Sequence, residues 1–115
     1  MSTWTDVRAW LDSRVGEPVG VAVPEQRPAS FVVARKTGGE YNPPLDRPQI
    51  TFEAWAETME GADALLQRVK DLLDAHPSDV AWHCEPLPDA TDVFVETYDG
   101  THFRTEITYQ FAALC

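Results

Sequence analysis

The residues best able to do chemistry are His83-Cys84-Glu85, which match the H-x-E half of a zinc deaminase signature. That chemistry needs a later P-C-x-x-C, because the metal takes two cysteine thiolates beside the histidine. The only other cysteine is Cys115, the last residue, so the second half is missing. Three histidines (His76, His83, His102) and two cysteines spread over the chain have no ligand spacing. Thr37-Gly38-Gly39 is glycine-rich but is not a G-x-x-x-x-G-K-[ST] loop, and no helix follows it to hold a phosphate. A G-x-S-x-G elbow does not occur either. Carboxylates are abundant, yet no spacing selects one as a general acid. The expectation is therefore no catalytic, cofactor-binding or metal residue.

The elements that would position any such residue centre on residues 47–77. Ile50, Phe52, Ala54 and Ala56 alternate with Thr51, Glu53, Trp55 and Glu57, the period of two of a half-buried strand. The period then changes. Ala62, Leu65, Leu66, Val69, Leu72 and Leu73 form one apolar stripe at helical spacing. Thr58 suits the N-cap, Glu60 and Asp63 suit the positive end of the helix dipole, and Pro77 stops the helix by about His76. Burying the five residues Leu65, Leu66, Val69, Leu72 and Leu73 contributes about 1.5–3 kcal/mol each before entropy is subtracted.

Toward the N-terminus, Thr5 can cap a short helix with Val7, Trp10, Leu11 and Val15 on its apolar side and Gly16 ending it. Val19, Val21 and Val23 predict a short strand, either at a sheet edge or ending at Pro24. Residues 30–36 predict a second strand, rich in β-branched and apolar side chains. Residues 37–48 contain two glycines and three prolines and are expected to be irregular, the extended tip of a hairpin between strands 30–36 and 49–57. Beyond the central helix, residues 80–85 alternate weakly, residues 93–98 read as a strand, and Asp99-Gly100 signals a tight hairpin. The last strand alternates cleanly, with Phe103, Thr105, Ile107, Tyr109 and Phe111 against Arg104, Glu106, Thr108 and Gln110. Helices and strands are segregated rather than alternating. The predicted class is α+β, a mostly antiparallel sheet of five to six strands with the central amphipathic helix on one face and a short N-terminal helix.

The chain has 115 residues, enough for one domain with a core that needs no metal or disulfide. No apolar run approaches the ~20 residues of a membrane helix, and no basic-then-apolar leader opens the chain. Reduced cysteines and a cytoplasmic setting are the expectation. The net charge of −10 is unevenly spread. Residues 1–50 hold six acids and six bases; residues 51–115 hold thirteen acids against Arg68, Lys70 and Arg104. A small basic cluster, Arg27, Arg35, Lys36 and Arg47, stands apart from an acidic C-terminal half. The balance argues against a sequence-specific nucleic-acid binder. Trp55 falls on the polar side of its strand, where it is either covered by the N-terminal helix with Trp10 or presented to another protein. Tyr41, in the 37–48 segment, either tucks back or reaches a partner.

Taken in order, these residues resemble a known family. The Asp6-Val7-Arg8-Ala9-Trp10-Leu11 helix precedes a valine-rich strand, strand 30–36, the Gly38-Gly39 loop and Arg47-Pro48-Gln49-Ile50-Thr51-Phe52-Glu53-Ala54-Trp55-Ala56. Then come the Ala62…Leu65…Val69…Leu72 helix and a closing strand with Tyr109-Gln110-Phe111. Nearly the whole chain is similar to the small tail-terminator proteins (tail-completion or minor tail proteins) of long, non-contractile-tailed bacteriophages. The resemblance implies an α+β domain in a sixfold ring that caps the tail tube, stops its polymerisation and offers its other face to the head–tail connector. It implies a virion location and no cofactor; the apolar runs are too short for a membrane partner, and the acidic charge suggests a bore that genome DNA passes without specific binding. Other neck proteins of similar length, head-closure or head–tail adaptor proteins, share the pattern. A different class, a monomeric acidic protein-binding module, fits the composition as well. The residues expected at a subunit or tube interface are Arg35, Lys36, Tyr41, Arg47 and Trp55. A ring of identical chains needs two unlike patches on each copy, and the uneven charge supplies them.

Overall fold

The computed structural model describes residues 3–26, 28–75, 81, 83–87, 93–96 and 102–114. Its elements in chain order are α1 (Thr3–Asp12), β1 (Val19–Gly20), β2 (Ser30–Asn42), β3 (Leu45–Ala56), α2 (Met59–Asp74), β4 (His83–Pro86), β5 (Val93–Glu96) and β6 (Phe103–Leu114). The strands make one six-stranded sheet in the order β1-β2-β3-β6-β4, with β5 also paired to β6. Every pairing is antiparallel except the two-residue β1–β2 contact. The α+β class is as the segregated pattern predicts.

The α2 helix starts where the sequence marks it. Thr58 is extended, at φ −131° and ψ 156°, and its hydroxyl accepts from Gly61 N at 3.0 Å. Ala62, Leu65, Leu66, Val69 and Leu73 are buried against the sheet. Beneath them lie Ile50, Phe52 and Ala54 of β3 with Ile107, Tyr109 and Phe111 of β6. Phe52 meets Tyr109 and Phe111 edge-on, each at 6.1 Å between ring centres, a geometry that sets one ring's positive edge on another's negative face. Tyr109 Oη donates to Asp74 Oδ1 at 3.0 Å, which satisfies the one polar atom of that ring and ties the end of α2 to β6.

The α1 helix begins earlier than predicted. Thr5 lies inside it, and Thr3, at its first turn, donates its backbone N–H to Asp46 Oδ2 at 3.1 Å. Helical hydrogen bonds run on to Val15, whose N–H meets Leu11 O at 2.9 Å, and Gly16 then turns at φ +86°. Trp4 Nε1 donates to Ala34 O at 2.8 Å and Arg8 Nη1 to Val19 O at 2.8 Å, so the helix is clipped to both β2 and β1.

Two predicted boundaries need correction. The edge strand stops at Gly20, and Val21 and Val23 are exposed, because β1 finds a partner only along Val32 and Val33. The 37–48 segment is not irregular: β2 and β3 run through it as one long hairpin, closed by Pro43 and Pro44 with a cis bond between them. The punctuating residues all have places there. The register slips between Lys36 and Gly38, a bulge that absorbs Thr37. Gly39 sits at φ +104°, where a Cβ would lie 2.1 Å from Arg47 O. Pro48 falls where the β3–β6 ladder skips two residues, so its missing N–H breaks no pairing there. The 80–85 strand is described over His83–Pro86 as β4; Val80 and Trp82, its expected start, lie outside the described residues, as does the Asp99-Gly100 turn.

Candidate interaction surface

The strand register sorts the sheet into two faces. Even-numbered residues of β3 face α2. Arg47, Gln49, Thr51, Glu53 and Trp55 face the other way, alongside Ala112, Gln110, Thr108, Glu106 and Arg104 of β6. Val33 and Phe31 join this second face from β2.

Trp55 anchors it. Its ring stacks on Phe31 at 5.3 Å between centres, and with Val33 the two form a small apolar cluster separate from the main core. His102 tilts against both rings, and Arg104 lies 5.9 Å over the indole. The indole Nε1 donates to Glu53 Oε1 at 3.1 Å. Trp55 is 5% exposed. It is therefore neither covered by α1 nor presented to solvent; Trp10 packs on the main core, at the opposite face. His102 Nε2 meets Pro28 O at 2.8 Å, and since a carbonyl only accepts, that nitrogen carries a proton.

Next along β3 lies Glu53, 2% exposed. A buried carboxylate is costly unless its charge is met. Arg35 Nη2 lies 2.5 Å and Arg104 Nη1 3.5 Å from Oε2, and Glu106 stands 4.0 Å from the same Arg35 nitrogen. Two arginines and two glutamates thus close a charge-balanced cluster over the sheet. Beyond it Thr37, Thr51 and Thr108 link hydroxyls across three strands at 3.0 and 2.8 Å. Gln49 Nε2 then donates to Gln110 Oε1 at 3.3 Å, and Gln110 Nε2 donates to Arg47 O at 3.0 Å. That last bond caps a carbonyl where the β3–β6 ladder has opened.

Over this opening is a groove of about 430 Å³, with Glu40 and Arg47 on one side, His83 and Ala112 on the other, and Gln49 and Gln110 between. It is open, and its lining is mixed, with Phe111 and Ala112 beside the polar side chains. It presents no nucleophile paired with a base. Cys84 turns away from it and packs against the core, where burial, with the negative charges of Asp74 and Glu85, pushes its thiol up to about 12. The thiolate needed for nucleophilic or metal chemistry is thereby suppressed. The H-x-E match reduces to His83 and Glu85 side by side on one strand, 3.3 Å apart, and no group of three metal-ligating side chains occurs among the described residues.

The five interface residues expected from the sequence are thus divided. Arg35 and Trp55 share the second face with Arg47, but Arg35 is engaged by Glu53 and Trp55 is closed over. Lys36 and Tyr41 fall on the α2 side of the sheet, both exposed, because one lies before the bulge and the other after it. Arg27 lies outside the described residues. The sequence reading did not single out Glu53, Arg104, Glu106 or the threonine and glutamine rows. Alternation puts each on the polar side of its strand, but only the register sets them opposite one another. No helix among the described residues is long and apolar enough to cross a membrane. Comparison with known proteins found no family model and no curated protein that matches the chain.

Proposed function

We propose that this chain is a virion structural protein, a ring-forming tail terminator that caps a phage tail tube and offers a surface to the head–tail connector. The observation that carries the reading is the order of elements: a short helix, a long β2–β3 hairpin, the α2 helix and a closing strand, in the order found in the tail-terminator resemblance. The hairpin supports it further. It carries exposed Lys36, Tyr41 and Arg47. Function then resides in patches. The exposed cations Lys36 and Arg47 of the hairpin and an acidic C-terminal half are the unlike surfaces that a head-to-tail contact requires. The bore of such a ring is acidic and repels duplex DNA, which passes without binding.

Deleting the gene and imaging the particles tests this. Overlong tails without heads are expected; finished tails beside leaking heads would assign the chain instead to head closure or head–tail adaptation. Light scattering adds the mass, with six copies of the 12.9 kDa chain expected at about 77 kDa at concentrations that favour assembly. The groove over Gln49 and Gln110 favours a second reading, a monomeric acidic module that holds a partner peptide. A chain that stays monomeric and captures a peptide there would support it.

A further inference from the structure

The β2 strand spans Ser30–Asn42, but its outer edge is paired with β1 only at Val32 and Val33. Val32 N–H donates outward to Pro18 O, and Ala34 O accepts from the Trp4 indole, so alternate residues turn their backbone groups to this edge. Period two makes Lys36 the next, and the bulge at Thr37 shifts the phase so that Gly39 follows. Lys36 and Gly39 are exposed, and among the described residues no strand pairs with this stretch. An open edge of this kind is a template for another strand.

The other edge of the sheet supplies a candidate. Among the described residues β5 pairs only with β6. Following the pairings, β2 is antiparallel to β3, β3 to β6 and β6 to β5, so β5 runs antiparallel to β2. A neighbour that continues the sheet in the same sense would bring its β5 antiparallel to this β2 edge. Charge favours the match. Residues 85–99, which include β5, hold five acids (Glu85, Asp89, Asp92, Glu96, Asp99) and no base. The β2 edge carries Arg35 and Lys36. Arg35 is held by Glu53, and Lys36 makes no ion pair among the described residues. Pairing β2 with β2 of another copy would instead bring Lys36 close to its own counterpart.

We propose that the β5 strand of a second copy adds to the outer edge of β2 at Lys36–Gly39, joining the sheets of successive subunits. This rests on the ring reading and gives it a contact. The junction is heterologous, so it propagates from copy to copy and closes if the rotation per subunit allows.

The full chain and its Lys36→Pro variant test it by light scattering over a concentration series, with amide hydrogen exchange on the same samples. Because the Lys36 N–H faces outward, the substitution removes the edge donor without a β2–β3 bond, and circular dichroism should be unchanged. Assembly of wild type should slow exchange at Lys36, Gly39 and residues 93–96 by about tenfold or more. Lys36→Pro should stay at 12.9 kDa. Lys36→Glu, which leaves the backbone intact, should weaken assembly by about tenfold and so guards against a folding defect. If wild type forms a ring while both variants assemble unchanged, the edge assignment is wrong and the ring reading stands. Arrest at a dimer protected at Lys36 but not at 93–96 means β2–β2 pairing and overturns the proposal. A wild-type chain that is monomeric throughout overturns both the contact and the ring.

Discussion

The two faces of the sheet are shielded from water by different physics, the α2 face fully and the other only in part. Toward α2, closure comes from a second layer: apolar side chains of β3 and β6 interdigitate with a helix, and Phe52 sits between two aromatic edges. On the other face the sheet's own side chains do the sealing. Phe31 and Trp55 stack, Glu53 is neutralised by Arg35 and Arg104, and three threonines join hydroxyls. The first face draws on burial of apolar area, which is large and indifferent to partner identity. The second draws on matched charges and hydrogen bonds, each modest in net effect but costly when half removed. The comparison teaches where the molecule tolerates change. Volume governs one face; pairing governs the other.

Substitutions can break that contrast. Phe52→Ala should cost the most, about 3–5 kcal/mol in denaturant unfolding, because α2 cannot collapse far into the space left. A loss below about 1 kcal/mol would mean that the helix layer is loosely packed. Next, Arg35→Ala with Arg104→Ala leaves Glu53 buried with only the Trp55 indole. The pair should cost about 2–3 kcal/mol, below the 3–5 of a fully buried ion pair because Arg35 is half exposed. Each single change should cost clearly less than half of that, since the remaining arginine still meets the carboxylate; additive singles would show that the two act independently. Smallest is Thr51→Val, which keeps the shape and removes the central hydroxyl of the row. A cost of about 1 kcal/mol is expected, and none at all would mean that water replaces both bonds.

Much of this fold is legible in the chain. The α2 stripe from Ala62 to Leu73 and the Thr58 cap are local signals, read at their own period and satisfied within one element. The alternation of β6 is equally plain. The hairpin is not. Gly38, Gly39, Pro43, Pro44 and Pro48 each normally interrupt a strand, and read one at a time they predict an irregular tip. A bulge, a close approach to Arg47 O, a turn and a gap in the ladder accommodate them without ending the pairing. The candidate surface is only half legible for the same reason. Consecutive Arg35 and Lys36 look like one basic patch, whereas a strand sends them to opposite faces.

The sequence by itself determined the composition of each face, since period two and period 3.6 assign side chains within an element. It also determined the charge imbalance between the two halves of the chain. Tertiary structure alone decided which strands lie side by side and in what register. That choice buries Glu53 between two arginines, closes Trp55 against Phe31, and, among the described residues, leaves the outer edge of β2 without a partner strand beyond Val33. The physical reason is that pairing across strands joins residues far apart in the chain, Arg35 with Glu53 and Glu53 with Arg104. No local period encodes such a distance.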